Sequence, residues 1–372
     1  MSRPSKLVYV SARYLPERGG TEIHTHEIAQ RMSLRGAEVV ILTTVLQRRL
    51  VGEEREGSVR VRRIRAFPTM RDYFFAPAIP AAIRAEQPAI VHCQSYHTLV
   101  APLAMLTALR DGIPYVVTLH SGGHSSALRR RIRPLQALLL RPLFIRAAAL
   151  VAGSVFEAEL FAGRLRVPRG LFTVIPSGVE LPAPRKPLAA TREDVILSIG
   201  RLEAYKGHQR AIEALPALRR ARPGLRLRIV GTGPTEHELR HVADRLGVAD
   251  ALEIAPVPAG SREELATLIS QATAVVMLSD YESQGLSVQE ALALGRPVLV
   301  NDSTALGELI NHPNTRAVDR HADAAGVAEA LLTLLDSPPA PPPQMFTWDD
   351  CAEELQAIYD EVLSSRRPEQ PS

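Results

Sequence analysis

The stretch "SDYESQGLSVQEALALG", residues 279–295, sets Glu282 and Glu290 on either side of a Gly-Leu-Ser turn, with seven residues between them. Before it runs "TAVVMLS" (273–279) and after it "PVLVN" (297–301), two short β-branched runs. A strand, a helix opened by glycine and a second strand make a parallel β-α-β unit, so this passage predicts an α/β fold. The helix start has two readings. In one, Ser287 caps the helix, Glu290 completes a capping box, and Glu282 is a solvated loop charge. In the other, Gly285, Leu286 and Ser287 present free backbone N–H groups to an anion, and the two carboxylates face the same ligand.

The same alternation extends in both directions. Toward the N-terminus the runs are "KLVYVSA" (6–12), "AEVVILTT" (37–44), "AIVHCQS" (89–95), "PYVVTLH" (114–120), "ALVAGS" (149–154) and "LFTVIPSG" (171–178). Helical segments fall between most of them, such as 21–36, where Ile23, Ile28, Met32 and Leu34 form an apolar face that Gly36 ends. A Pro-rich, aperiodic stretch at 180–194 reads as a linker, after which strands recur at 195–202, 225–233 and 252–258. The expected organisation is a first Rossmann-like domain over 1–183 and a second over 184–345. The Pro-rich run at 337–343 then gives way to an amphipathic helix within 346–372 that closes back toward the first domain. Ligands of such parallel sheets bind at the carboxyl ends of the strands, so a cleft faced by both domains is the expected site.

Composition narrows the class. A chain of 372 residues with 46% hydrophobic and 23% charged residues is long enough for two or three cores and is not broadly disordered. Cys93 and Cys351 form no C-x-x-C pair, which excludes a disulfide framework or structural zinc site and suits a cytoplasmic location. The net charge of +4 admits nucleic acid, anionic lipid or phosphate-bearing ligands, but the arginines are dispersed and no nucleic-acid module is evident. No N-terminal apolar leader is visible, and the longest apolar region, 134–153, is broken by Arg141 and Arg146.

Candidate residues lie in loops after strands. Gly19-Gly20 opens the first helix, where a turn without Cβ atoms lets a phosphate approach the positive helix end. In "GRLEAYKG" (200–207), Arg201 and Lys206 leave the first strand of the second domain, and a lysine at a helix start is unfavourable without an anion. "VGTGP" (230–234) is a fragment of a dinucleotide fingerprint lacking its third glycine, so a Rossmann NAD site is not expected. Helix start, cations and carboxylates together suit a nucleotide diphospho-sugar.

GG-x-E near the start, GRL…KG, "IVGTGP" and E-x7-E, in this order, resemble the retaining GT-B glycosyltransferases of family 4 over nearly the whole chain. The most specific element is "YESQGLSVQEALALGRPVLV", similar to the family's E-x-FGL-x-x-x-E-A-x-A-x-G-x-PV-V signature. The resemblance implies that Glu290 binds the donor ribose and Glu282 a donor-sugar hydroxyl. It assigns the diphosphate to the Gly285, Leu286 and Ser287 amides with Arg201, Lys206 and Gly20, lays the loop 255–258 along the base, and brings His120 to the reacting sugar. Gln284 stands where the family has Phe, and "NDSTALGE" (301–308) lacks its paired glycines. These departures bear on sugar choice.

The implied chemistry is front-face transfer in which the leaving diphosphate helps deprotonate the acceptor hydroxyl, with the protein stabilising charge on the β-phosphate. No DxD pair accompanies a phosphate loop, and His24 and His26 fall on different helix faces, so no metal is expected. The donor is a UDP- or GDP-linked sugar; the acceptor is an unidentified hydroxyl in glycan, glycolipid or natural-product synthesis. The segment 121–146 combines six arginines with an apolar face and reads either as a solvated helix or as an interfacial one at an anionic inner-membrane surface. "MRDYFFAP" (70–77) is either an acceptor border or core. The rival readings are a GT-B nucleotide-sugar epimerase, a non-catalytic nucleotide-sugar binder, and a basic nucleic-acid-binding protein.

Overall fold

The computed structural model describes residues 5–17, 19–47, 50–68, 74–121, 127–183, 194–257, 261–338 and 340–365, with 127–133 described in backbone only. The chain forms two compact units: Met1–Ser121 with Arg131–Gly178 and Phe346–Ser372, and Val179–Met345 with Gly122–Arg130.

The first unit runs β1 (Lys6–Ser11), α1 (Gly20–Leu34), β2 (Glu38–Val45), β3 (Gly52–Glu56), β4 (Val59–Arg65), α2 (Ile79–Glu86), β5 (Ile90–Gln94), α3 (Val100–Arg110), β6 (Tyr115–Thr118), α4 (Ala127–Phe144), β7 (Ala149–Ala152), α5 (Val155–Leu165) and β8 (Phe172–Val174). The sheet order is β3-β4-β2-β1-β5-β6-β7-β8, and every pairing is parallel except β3 with β4. A central strand such as β1 must be covered on both faces, which is why its sequence is almost continuously apolar. Val8 and Val10 face a core with Ile83, Met105 and Phe161. Leu7 and Tyr9 face the opposite core with Ile28, Met32, Trp348 and Leu355. Each fully buried side chain of this size contributes about 1.5–3 kcal/mol.

The second unit runs β9 (Val195–Ile199), α6 (His208–Ala221), β10 (Arg226–Val230), α7 (Glu236–Arg245), β11 (Leu252–Ala255), α8 (Arg262–Gln271), β12 (Ala274–Met277), α9 (Leu286–Ala293), β13 (Val298–Asn301), β14 (Thr315–Val318) and α10 (Ala324–Asp336). Its sheet is parallel throughout, in the order β11-β10-β9-β12-β13-β14. The chain winds outward from β9 through β10 and β11, then restarts on the other side at β12. The reversal leaves a topological switch point between the carboxyl ends of β9 and β12.

The chain finishes with α11 (Trp348–Ser364), which is part of the first unit. Thr347 and Asp350 form a reciprocal capping box at its start. The helix buries Trp348, Cys351, Leu355 and Tyr359 in the core that α1 also lines.

Two details depart from the sequence reading. Leu34 is 83% exposed, so the buried face of α1 is His24, Thr25, Ile28, Ala29 and Met32 instead. The edge strands β3 and β14 were not expected, because "GEERE" and "TRAV" carry no buried apolar stripe and are held by backbone pairing at sheet edges; β4 was not expected either, although Val59, Val61 and Ile64 are buried there. The stretch 230–234 is a packing turn. A Cβ on Gly231 would collide with the Gly200 carbonyl and one on Gly233 with the Leu202 backbone, while Leu202 N donates to Thr232 O at 2.9 Å.

Candidate functional site

In the second unit the loop leaving β9 and the loop leaving β12 are stitched together at the switch point. The first passes through a 3₁₀ turn, Ala204–Lys206, to Gly207, whose φ of +70° and lack of Cβ let the Leu278 carbonyl lie against it. Asp280 N donates to Tyr205 O at 2.7 Å and Ser279 Oγ to Lys206 O at 3.3 Å. The Lys206 ammonium is thereby aimed at the second loop, where Nζ lies 2.7 Å from Glu282 Oε1, with both side chains largely buried. Burial disfavours the ammonium, but the Glu282 charge and hydrogen bond prevail, so the Lys206 pKa stands above its ordinary value. Glu282 is fixed from behind by the turn at 304–305: its N donates to Thr304 Oγ1 and its carbonyl accepts from Ala305 N, each at 3.3 Å.

Arg201 stands differently. Its Nη1 pairs with Glu203 at 2.7 Å, its Nη2 donates to Tyr205 OH at 2.9 Å, and its side chain is 62% exposed.

The helix start belongs to Gly285, not Ser287. Gly285 is the N-cap, with φ +75° and no side-chain cap, and Ser287 is the second helical residue, so the capping-box reading does not hold. The first turn closes by bonds from Val288 N and Gln289 N to Gly285 O, at 3.0 and 3.2 Å. The Leu286 and Ser287 amides precede those donors and form the positive end of α9.

Glu290, one turn in, is 3% exposed. Its Oε1 lies 3.1 Å from Arg262 Nη2 yet off the hydrogen-bonding line, which leaves that oxygen a buried acceptor without a hydrogen bond. Burial pushes its carboxyl up and Arg262 only partly offsets this. Arg262 Nη2 also donates to Glu180 O at 2.7 Å. Nothing in the sequence singles out Arg262: "SREEL" reads as a plain capped helix start, and Ser261 does cap α8. Of the loop 255–258, Pro258 lies outside the described residues.

The remaining candidates lie in the first unit. Gly20 is the first residue of α1, exposed, and a Cβ there would meet open space. His120 follows β6 with φ +44°. Its Nε2 donates to Gln94 Oε1 at 2.6 Å, its carbonyl accepts from His97 Nε2 at 3.2 Å, and its ring packs edge-on to His24 at 4.6 Å between centroids. Burial, then His24, His92 and His97, hold the His120 pKa well below its ordinary value. The imidazole is therefore neutral, and with Nε2–H engaged it offers Nδ1 as an acceptor.

Glu157 is a second residue the sequence did not reveal. Buried in the first turn of α5, it accepts from Ser121 N at 2.6 Å, from Ser121 Oγ and from Gly153 N at 2.8 Å. It thus pins the residue next to His120. His24 and His26 have separate partners, Ser177 for one and Tyr14 for the other. Residues 70–73 and the side chains of 122–133 lie outside the described residues. Among the described residues no group of three or more His, Cys, Asp or Glu is arranged to hold a metal ion.

Comparison with known proteins gives two family matches: Glycosyltransferase Family 4 over residues 18–182 and Glycosyl transferases group 1 over residues 182–346. The chain is 32% identical over 311 residues to a glycogen synthase of Mycobacterium tuberculosis, covering 77% of this chain and 72% of that one. It is 28% identical over 422 residues to a D-inositol 3-phosphate glycosyltransferase of Streptomyces avermitilis, covering 99% and 90%. Among solved structures it resembles Anabaena HepE in complex with UDP and glucose, with a TM-score of 0.69, 17% identity and coverage of 97% and 99%.

Proposed function

The chain belongs to the family 4 glycosyltransferases of GT-B fold and is a hexosyltransferase, and from that membership we propose that it moves a sugar, with retention, from a UDP- or GDP-linked donor to a hydroxyl acceptor. The observation that carries the donor reading is the switch point of the second unit, where the uncapped start of α9 stands beside the Lys206–Glu282 pair and the Glu290–Arg262 pair.

In this reading the Leu286 and Ser287 amides and Lys206 receive the diphosphate, with Gly285 as the N-cap of that helix start and Arg201 on the same loop as Lys206. Glu290 takes the ribose hydroxyls, and Arg262 partly offsets the burial of its carboxylate. A phosphate arriving at Lys206 draws the ammonium from Glu282, which is then free to accept from a sugar hydroxyl. The bond between the anomeric carbon and the β-phosphate oxygen breaks, the acceptor oxygen bonds to that carbon on the same face, and the acceptor proton passes to a phosphate oxygen. Charge develops on the leaving diphosphate, where fixed amides and a cation stabilise it without reorganising. Neutral His120 accepts a sugar hydroxyl through Nδ1. No metal takes part, so transfer should persist in EDTA.

Thermal shift and calorimetry with UDP, GDP and ADP, followed by turnover on the matching donor sugars, test the reading. Lys206→Ala and Glu290→Ala should each weaken nucleoside diphosphate binding by roughly 1.5–3 kcal/mol. Unchanged affinity in both would remove the assignment. His120→Ala should lower turnover and leave diphosphate affinity nearly intact. A product formed from the nucleotide sugar alone, with no acceptor, would mark an epimerase instead.

A further inference from the structure

No helix among the described residues is long and apolar enough to cross a membrane. One nevertheless turns its apolar side outward. On α4, Leu135, Leu138, Leu139 and, just past its end, Ile145 are 57%, 41%, 71% and 41% exposed, and Pro142 between them is exposed as well. Steps of three and four place these side chains on one stripe. The unit does not need that stripe for its core, because the opposite side of α4 is already packed. Ala137 and Phe144 are fully buried there, and Gln136 Nε2 and Arg141 Nε donate to Tyr96 O and Leu165 O at 3.2 and 2.8 Å.

Along the chain, the charge carried by α4 and its flanking segments has one sign. From Gly112 to Phe156 the sequence contains no Asp or Glu and six arginines, four of them at 129–133 in the opening turns of α4 and Arg146 exposed just beyond its end. A second copy of the chain docking through this face would set like charges against each other. A protein partner would meet no acidic residue from α4 or its flanking segments. A surface of anionic headgroups over hydrocarbon matches both parts, taking the leucines into the acyl boundary and the arginines onto phosphates.

We propose that the outward face of α4 seats this protein on an anionic bilayer. Resting on the glycosyltransferase reading, the acceptor class that follows is a hydroxyl carried on a membrane lipid.

Co-sedimentation of the full chain with vesicles tests this, using phosphatidylcholine alone and an equal mixture of phosphatidylcholine and phosphatidylglycerol. Binding should be at least about tenfold stronger to the anionic vesicles and should weaken as salt rises. The Leu135→Glu/Leu139→Glu variant should lose about tenfold or more of that binding. It should keep the parent Tm and the parent thermal shift with nucleoside diphosphate, since both side chains are exposed. A parent that stays in the supernatant with anionic vesicles, or a variant that binds as the parent does, overturns the proposal. So does a dimer, seen by light scattering, that the same variant abolishes. Vesicle binding without any nucleoside diphosphate binding would instead sink the donor reading and leave the docking face standing.

Discussion

Thr304 holds φ at +60°, a left-handed backbone that a β-branched residue adopts only when its surroundings impose it. What it gains is position: its hydroxyl accepts from Glu282 N, fixing the carboxylate that pairs with Lys206. Gly285 is the complementary case. Its φ of +75° is natural to glycine, and a Cβ there would lie 2.6 Å from Leu306 Cδ2. Gly285→Ala should therefore cost about 1–3 kcal/mol in urea unfolding, and it should weaken nucleoside diphosphate binding as the α9 start is displaced. Gly20→Ala, with open space at its Cβ and no positive φ, should cost under about 0.5 kcal/mol. Equal losses in the two variants would show that the glycine at the α9 start is not conformationally required.

At the scale of elements, α11 depends on its cap. Thr347→Ala removes one half of the box with Asp350 and should lower stability by about 1 kcal/mol, read as a fall in Tm. A variant with unchanged Tm would show that core packing alone holds the helix. The parallel strands were legible in sequence because burial on both faces demands continuous Val, Ile and Leu, as in "EVVILTTV" of β2. Strand β3 was not, because an edge strand such as "GEERE" can be wholly polar and still pair. The candidate residues of the second unit stand out one by one from their helix starts and loops, but their pairings do not. Lys206 meets Glu282 across 76 positions of chain, and only the reversal of strand order between β9 and β12 brings them together. Arg262 and Glu157 stayed hidden for the same reason, since each looks like an ordinary first-turn residue until the fold supplies its partner.

For the molecule as a whole, buried histidines set the response to acid. His24 and His92 of the first unit are lowered to about 4 and about 3, and His208 of the second to about 4, all chiefly by burial, with His120 lowered as well. A base whose folded pKa is depressed binds fewer protons than the unfolded chain below pH about 6.5, so stability is complete above that value and declines as pH falls toward the folded pKa. Glu157 and Glu290, raised by burial, act in the opposite sense and soften the decline in the carboxylate range. Unfolding free energy should fall from pH 6.5 to 4, by up to about 1.4 kcal/mol per pH unit for each histidine and read as a falling Tm, and His24→Gln should flatten that slope. An identical slope in the variant would exclude His24 as a contributor. The route of the chain has one more effect. Gly178, where the first unit's backbone departs, lies so tightly against the backbone of Thr347 and Trp348, where it resumes, that no other residue fits. The segment Val179–Met345 is thus a cassette held between two abutting splice points, and a homologous segment could be exchanged there through two junctions while α11 stays with its own core.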